Sequence, residues 1–187
     1  MATWRTVSTK RVWGFDVEAR PGPWGGDDFT FKNMLSLAGG YERGNRIEYL
    51  APGFTAGALE DFVAPLRDSN VLVVAHNGIR YDLPFLNGTL LKMGLSALPP
   101  LRVHDTYSCL KKTGYAFSKS LANLSKRFGV THKGHMGEYD WELVYAGDPQ
   151  ALDNLRTYNI GDVRTTLELR RVLVERGLLL PPKNWTP

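Results

Sequence analysis

An apolar run in the middle of the chain, Val71–Ala75, restricts the fold more than any other feature of this sequence. A continuous apolar run of strand length is typical of a strand that is covered on both faces. Apolar residues at helical spacing precede it over residues 59–66, with Thr55 as a plausible N-cap, and a second helical pattern follows it over residues 82–93. The run therefore predicts a sheet packed by helices, which is the α/β class.

Three strand patterns come before the first helix. Residues 12–17 are typical of a buried strand, residues 29–31 together with 34–37 of a second strand, and residues 46–50 of a third. The pair Gly39-Gly40 is a turn signal between the second and third strands. The chain is therefore expected to open as an antiparallel meander.

The remainder of the chain combines one more short strand with helices. We expect a strand over 101–104, helices over 106–112, 118–128 and 149–176, a loop over 130–139, and a tail from Pro181 that wraps loosely. The fold class is then α/β, with a mixed sheet that is antiparallel in its first three strands, parallel afterwards, and flanked by helices. We predict a single domain for residues 1–187, with a core over about 10–176 and a tail over 177–187.

Composition and charge exclude several classes of protein. Hydrophobic residues make up 43% of the 187 residues and charged residues 22%, which are ordinary values for a globular chain. Cys109 is the only cysteine, so an internal disulfide and a cysteine-based zinc site are excluded. No apolar run approaches the roughly 20 residues of a membrane span, so we expect a soluble, cytoplasmic protein with no membrane partner. The net charge of +4 permits a polyanionic partner but does not require one.

Acidic residues follow two of the predicted strands. Asp16 and Glu18 lie at the end of the first strand, where alternation places both carboxylates on one face, and such a pair repels unless a cation joins it. Asp82 comes shortly after Val71–Ala75, beyond the turn residues Asn77 and Gly78. Ligands of open α/β sheets gather at the carboxyl ends of strands, so these residues indicate a site at that edge.

A third motif lies in the last predicted helix. Tyr158 and Asp162 are four residues apart and therefore share one helix face, and a carboxylate beside an apolar stripe needs a partner. Each motif taken alone also has a plain structural interpretation. Asp16 and Glu18 would be surface acids, Asp82 would be a charge at a helix N-terminus, and Tyr158 would be a core residue.

In this order, the three motifs resemble those of the DEDD superfamily of 3′–5′ exonucleases, which includes ribonuclease D and DNA polymerase proofreading domains on a ribonuclease H-like fold. The resemblance covers residues 10–175. One branch of the superfamily has a histidine five residues before the last aspartate, where this chain has Thr157. The other branch has a tyrosine four residues before it, and Tyr158 fills that position here. The chain is therefore similar to the tyrosine branch.

The resemblance implies a set of carboxylate ligands for two divalent cations, Mg²⁺ or Mn²⁺: Asp16, Glu18, Asp82 and Asp162. It also implies a catalytic role for Tyr158, which would orient the attacking water, because a phenol with a pKa of about 10 is a poor base.

The implied reaction is hydrolysis of phosphodiester bonds at the 3′ ends of single-stranded nucleic acid, with release of nucleoside monophosphates. DNA is slightly favoured over RNA, and whether a replication or repair partner exists is left open. The backbone at Val17 and the side chain of Asn77 would hold the terminal nucleotide. Tyr81, Phe15 or Trp24 would stack on a base, although core packing explains each of them as well.

Two other functions stay open: a catalytically idle nucleic-acid-binding module on the same fold, and a ribonuclease H-like endonuclease. Asp105 is interpreted mainly as a helix cap, with a substrate role as the alternative. His76 fits core packing or support of the Asn77 turn. His132, His135 and Asp140 raise the idea of a second metal site, but surface histidines fit that loop better.

Overall fold

The computed structural model describes residues 11–19, 34–44, 46–111, 118–131, 136 and 138–187. Several predictions from the sequence lie outside these residues. They concern the strand segment 29–31, the side chain of Trp24, and the loop histidines His132 and His135.

Six strands form one mixed sheet with the order β3-β2-β1-β4-β5-β6. The first three strands pair antiparallel, β4 and β5 continue parallel to β1, and β6 pairs antiparallel to β5. The predicted fold class, an antiparallel opening followed by parallel strands, is confirmed. The strands are β1 Arg11–Ala19, β2 Met34–Tyr41, β3 Ile47–Leu50, β4 Val71–Ala75, β5 Leu101–Asp105 and β6 Lys183–Trp185.

Five α-helices flank the sheet in the described part of the chain: α1 Ala56–Val63, α2 Asp82–Lys92, α3 Leu121–Phe128, α4 Glu138–Ala146 and α5 Pro149–Glu175. The hydroxyl of Thr55 accepts from the amide of Ala58 at 3.2 Å, so the predicted N-cap is confirmed. Gly129 ends α3 in the left-handed conformation that favours glycine. Among these described helices, none is both long enough and apolar enough to cross a bilayer.

The glycine pair at 39–40 was predicted to form a turn, and this prediction is wrong. Both glycines lie inside β2, where Gly40 pairs with Gly14 of β1. A Cβ atom built on Gly39 would lie 2.7 Å from the ring of Trp13, and one on Gly40 would lie 2.6 Å from Ile47. Glycine is present here because neighbouring side chains approach the backbone closely, and a sequence pattern does not distinguish this cause from a turn.

The predicted helix over 106–112 is also wrong for its described residues, which form a turn and a single bridge. The carboxylate of Asp105 accepts from the amides of Tyr107 and Ser108 at 2.9 and 3.0 Å, which fixes a turn. The chain then pairs with a distant segment, because Leu110 bridges Leu179. Long-range pairing therefore replaces the helix.

The C-terminal tail was predicted to wrap loosely, and this prediction is wrong, because the tail adds β6 to the edge of the sheet. Trp185 pairs with Leu101 and is buried in the main core. The predicted loop over 130–139 is also shorter than expected, because α4 begins at Glu138. Val144 of α4 packs with Ala151 and Leu155 of α5. The strand β6 and the helix α4 were missed because each is stabilised by burial against another element, and neither has a clear periodic pattern of its own.

The two faces of β1 have different surroundings, and this difference positions the site. Trp13 and Phe15 point into the main core together with residues of α1 and α2, such as Phe62. Val12 lies on the opposite face, in the cluster that α5 covers with Val163 and other residues. Because side chains alternate along a strand, Asp16 and Glu18 share this second face and point toward α5.

Candidate active site

Three carboxylates converge at the carboxyl end of β1. Asp16 and Glu18 come from the strand, and Asp162 comes from α5 where this helix crosses above it. One oxygen from each residue lies within 4.8 Å of one from each of the others. We call these three residues the acidic cluster. Three like charges at this separation repel strongly unless a cation or protons balance them.

Asp82 joins the site from the other side of β1. It is the first residue of α2, and its Oδ1 accepts from the backbone amide of Val17 at 3.0 Å. This hydrogen bond attaches the start of α2 to the strand that carries Asp16 and Glu18. Asp82 is buried and close enough for its charge to act on Glu18, although it is not one of the three converging residues.

The electrostatics of the site favour protons or cations. Burial, followed by the charge of Asp162, raises the pKa of Asp16 to about 7. Burial also raises the pKa of Asp162 to about 6, against the opposing effect of a hydrogen bond with Tyr158. The pKa values of Glu18 and Asp82 are raised well above their ordinary range, mainly by burial and then by the charge of Asp16.

The donor set fits a hard divalent cation. All the converging ligand atoms are carboxylate oxygens, which Mg²⁺ and Mn²⁺ prefer. A cation at this place would also offset the repulsion that raises the pKa values of the acidic cluster. The cluster can therefore hold a metal ion.

Tyr158 stands one helical turn before Asp162 and forms a hydrogen bond with its carboxylate. Burial and the surrounding carboxylates raise the pKa of the Tyr158 phenol, so it stays neutral and donates to Asp162. A neutral, half-buried phenol can position a water molecule but is a poor proton acceptor.

Asn159 is a site residue that the sequence analysis missed. Its Nδ2 donates to Oδ2 of Asp16 at 2.7 Å, and its own carbonyl oxygen accepts from the Ser36 hydroxyl at 3.5 Å. Asn159 is fully buried and lies on the inward face of α5, between Leu155 and Val163 at helical spacing. An amide in the middle of an apolar stripe was the available signal, because a buried polar side chain needs partners.

The turn between β4 and α2 is held by Asp105. Asn77 has a φ of +62°, and a Cβ on Gly78 would lie 2.3 Å from that of Ala75, so the turn requires its Asn-Gly pair. The buried carboxylate of Asp105 accepts from the amides of Asn77 and Ile79 at 3.0 and 3.1 Å. Asp105 therefore caps two turns, not the helix expected from sequence.

The remaining candidates are distributed around this turn. Tyr81 is half-buried at the start of α2, and the guanidinium of Arg80 lies 5.4 Å from the centre of its ring. Phe15 packs in the main core, which was the alternative to base stacking in the sequence analysis. His76 is half-buried, and its Nδ1 lies 2.7 Å from the hydroxyl of Thr106.

This combination, a mixed α/β sheet with acidic residues gathered at the end of its first strand, is the arrangement of ribonuclease H-like domains. The model of the RNase_H superfamily matches residues 15–174, which is most of the chain, and the chain belongs to this superfamily. The expected family and fold are therefore confirmed. No curated protein sequence matches the chain.

Two solved structures show the same fold. The family B DNA polymerase from the hyperthermophilic archaeon Pyrobaculum calidifontis matches with a TM-score of 0.70 and 22% identity, over 88% of this chain and 24% of that one. Trypanosoma brucei RNase D matches with a TM-score of 0.64 and 16% identity, over 90% of this chain and 59% of that one. The chain thus spans about a quarter of the polymerase and three fifths of the RNase D. Family and fold together support a nuclease.

Proposed function

We propose that this chain is a metal-dependent 3′–5′ exonuclease of the tyrosine branch, with residues 1–187 forming one exonuclease domain. The observation that carries the proposal is the convergence of carboxylate oxygens of Asp16, Glu18 and Asp162 within 4.8 Å of one another. Tyr158 forms a hydrogen bond with Asp162 at this place. The solved structures with this fold include a DNA polymerase and an RNase D, so the comparisons are consistent with a nuclease on either type of strand.

The proposed cofactor is a pair of divalent cations, Mg²⁺ or Mn²⁺. Asp16, Glu18 and Asp162 would hold one ion, and Asp82 together with Asp16 would hold the other. When bound, such ions make water a stronger nucleophile and stabilise the leaving oxygen of a phosphodiester.

The protein's own residues prepare the site for this chemistry. Asn159 holds Asp16 in one orientation through its 2.7 Å hydrogen bond. Tyr158 keeps its proton on the phenolic oxygen and orients the attacking water beside Asp162. Asp82 keeps the start of α2 attached to β1 through the amide of Val17.

The proposed substrate is the 3′ end of single-stranded DNA or RNA, with DNA slightly favoured, and the products are nucleoside monophosphates. Asn77 and Tyr81 lie in the segment that leads from β4 to Asp82 at the start of α2, and they would contact the terminal nucleotide. The amide of Val17 already donates to Asp82, so Val17 would contact the nucleotide through its other atoms.

The test is a digestion time course on single-stranded DNA and RNA labelled at the 5′ end, with Mg²⁺, with Mn²⁺ and with EDTA. We expect a metal-dependent ladder that shortens from the 3′ end, and no ladder from the Asp16→Ala variant. Cleavage of a circular strand would favour the ribonuclease H-like endonuclease instead. Binding of the strand with no cleavage under any condition would favour the idle binding module.

A further inference from the structure

A cavity lies between α5 and the hairpin that joins β2 to β3, toward the amino end of β1. Its volume is about 420 Å³, and its walls include Tyr41, Glu42, Ile47, Arg164, Leu167 and Arg171. The amide of Glu42 donates to the carbonyl of Val12 at 2.9 Å, and Val12 precedes Asp16 by four residues along β1. At roughly 3.3 Å per residue, the cavity is about 13 Å from the acidic cluster, so the proposed hydrolysis does not use it. We call it the hairpin cavity.

The apolar walls of the hairpin cavity are fixed by close contacts with the sheet. A Cβ atom built on Gly14 would lie 2.6 Å from Leu167, so this side chain is seated directly against β1. Ile47 approaches the backbone of β2 in the same way at Gly40. The ring of Tyr41 packs edge-on against a tryptophan of the main core, with the ring centres 4.8 Å apart. These walls are formed before any ligand arrives, which reduces the free energy cost of binding.

The charged walls of the hairpin cavity leave two arginines available to a ligand. Glu42 is balanced by its ion pair with Arg170 at 2.6 Å. In the part of the chain that the structure describes, Arg171 has only a 3.9 Å pairing with Glu168, and an exposed pairing of this kind contributes little. Among the same described residues, Arg164 makes no hydrogen bond, ion pair or ring contact.

The two arginines define the charge of the ligand. Arg164 and Arg171 both line the cavity, and they are seven residues apart on one face of α5. This spacing separates them by about 10 Å along the helix, so both side chains can reach one anion between them. Arg43 and Arg46 in the adjoining hairpin are exposed and add positive charge. Guanidinium groups bind phosphate through paired, charge-assisted hydrogen bonds, so the cavity favours a ligand that carries a phosphate group.

The other walls of the hairpin cavity indicate what the phosphate group is attached to. A volume of about 420 Å³ is near the lower end of the range for small-molecule sites, which suits a single nucleotide better than a polymer. Tyr41, Ile47 and Leu167 offer an apolar surface to a planar base. The carboxylate of Glu168 can accept hydrogen bonds from the hydroxyl groups of a sugar. A bare phosphate ion would use neither feature.

We propose that the hairpin cavity binds a nucleoside monophosphate. The phosphate group contacts Arg164 and Arg171, and the base packs against Tyr41 and Ile47. Nucleoside monophosphates are also the product of the proposed exonuclease, and this connection rests on the proposed function. Binding in the cavity does not rest on it, because the cavity is separate from the acidic cluster.

The test measures binding of radiolabelled dAMP and AMP by equilibrium dialysis in EDTA. All proteins carry Asp16→Ala, and EDTA removes the cations through which a nucleotide could bind the acidic cluster. Arg164→Ala and Arg171→Ala should each weaken binding by about tenfold, because each removes charge-assisted hydrogen bonds to the phosphate group. Arg102→Ala, which removes an exposed arginine of β5 outside the cavity, is the matched control and should bind like its parent. Unlabelled inorganic phosphate should compete about tenfold less well than unlabelled dAMP, because it lacks the base.

Equal affinities of the Arg164→Ala variant, the Arg171→Ala variant and their parent for dAMP, or no binding to the parent, would overturn the proposal even if the protein degrades 3′ ends. Competition by inorganic phosphate as strong as that by dAMP would also overturn it, because the cavity would then bind the anion alone. Conversely, dAMP binding that depends on both arginines, in a protein that degrades neither DNA nor RNA, would support the cavity site and contradict the proposed exonuclease. The two proposals therefore fail in distinguishable ways.

Discussion

Helix α5 covers two groups of buried and half-buried titratable residues that differ in how their charges are balanced. The acidic cluster contains carboxylates only, and their pKa values are raised. About two turns further along α5 from Asp162, Nη1 of Arg170 forms an ion pair with Glu42 at 2.6 Å, and its Nε donates to Nδ1 of His104 at 3.2 Å. Because Nδ1 accepts, Nε2 carries the proton and donates to the carbonyl of Leu180 at 3.0 Å. We call Glu42, His104 and Arg170 the paired cluster.

The contrast separates stability from function. In the paired cluster each charge has a partner of opposite sign or a hydrogen-bond acceptor, so the folded chain satisfies it without a ligand. In the acidic cluster the folded chain supplies no opposite charge among the converging groups, and folding works against repulsion. A cluster of the first kind is expected to hold the fold together, and a cluster of the second kind is expected to bind a cation.

Removal of a carboxylate from the acidic cluster should give the largest effect on activity. We expect Asp16→Ala to lower the rate of nucleotide release on the order of a thousandfold or more, because a shared metal ligand is lost. Without metal, the same variant should unfold at the same temperature as the wild type or at a higher one, because repulsion is relieved. Parallel rate measurements and thermal melts in EDTA check both expectations, and a variant with normal activity would contradict the site assignment.

The paired cluster should respond in the opposite way. Arg170→Ala leaves the half-buried carboxylate of Glu42 without its ion pair and the buried His104 without its donor, and we expect a loss of about 3 kcal/mol in the free energy of unfolding. Activity per folded molecule should stay close to that of the wild type at low temperature. Urea titrations measure the first quantity, and rates normalised to the folded fraction measure the second. Glu168→Ala, which removes only an exposed pairing with Arg171, is the matched control and should cost less than about 1 kcal/mol.

Local patterns predicted the parts of the fold that depend on local spacing. The apolar run of β4 and the long amphipathic stripe of α5 were recognisable, as were the motif residues Asp16 and Asp162. The strand β6 was not, because its three residues become a strand only through pairing with β5.

The candidate site could be predicted only in part for the same reason. Its carboxylates stand out by type and order, but Asn159 acquires its role from a hydrogen bond across 143 sequence positions. Asp105 was noticed, yet the turns that it caps belong to segments separated by about 28 residues. Contacts of this kind follow from the tertiary fold and leave no periodic signal in the sequence.

Asn159 provides a way to weaken the acidic cluster without changing its charge. Asn159→Ala removes the donor to Asp16, and we expect the Mn²⁺ concentration for half-maximal activity to rise by about 10- to 100-fold. The maximal rate at saturating Mn²⁺ should fall less. Ser36→Ala, which removes the longer 3.5 Å hydrogen bond to Asn159 together with a hydrogen bond to Tyr49, serves as the graded control. An unchanged metal requirement in Asn159→Ala would show that Asp16 is oriented by other contacts.

The two clusters should also respond to pH with opposite signs, which is the finest test of the contrast. The pKa of Asp16 is raised from 3.8 to about 7 in the folded protein. The contribution of Asp16 to the free energy of unfolding is therefore most favourable below pH 4 and is lost as pH rises through 7. The pKa of His104 is lowered from 6.5 to about 4 by burial and then by Arg170. Between pH 6.5 and pH 4, His104 binds a proton in the unfolded chain but stays neutral in the folded chain. The contribution of His104 to the free energy of unfolding is therefore lost as pH falls.

Urea titrations in EDTA from pH 8 to pH 5 resolve the two contributions. Protonation of His104 in the unfolded chain should lower the free energy of unfolding of the wild type by about 1–2 kcal/mol between pH 8 and pH 5. His104→Gln lacks this titration, so its free energy of unfolding should fall less steeply as the pH is lowered. Asp16→Asn should be more stable than the wild type at pH 8, and this advantage should shrink as pH falls. If both variants changed the pH dependence in the same direction, the charges of the two clusters would not be balanced differently, and the acidic cluster would lose its physical reason to bind a cation.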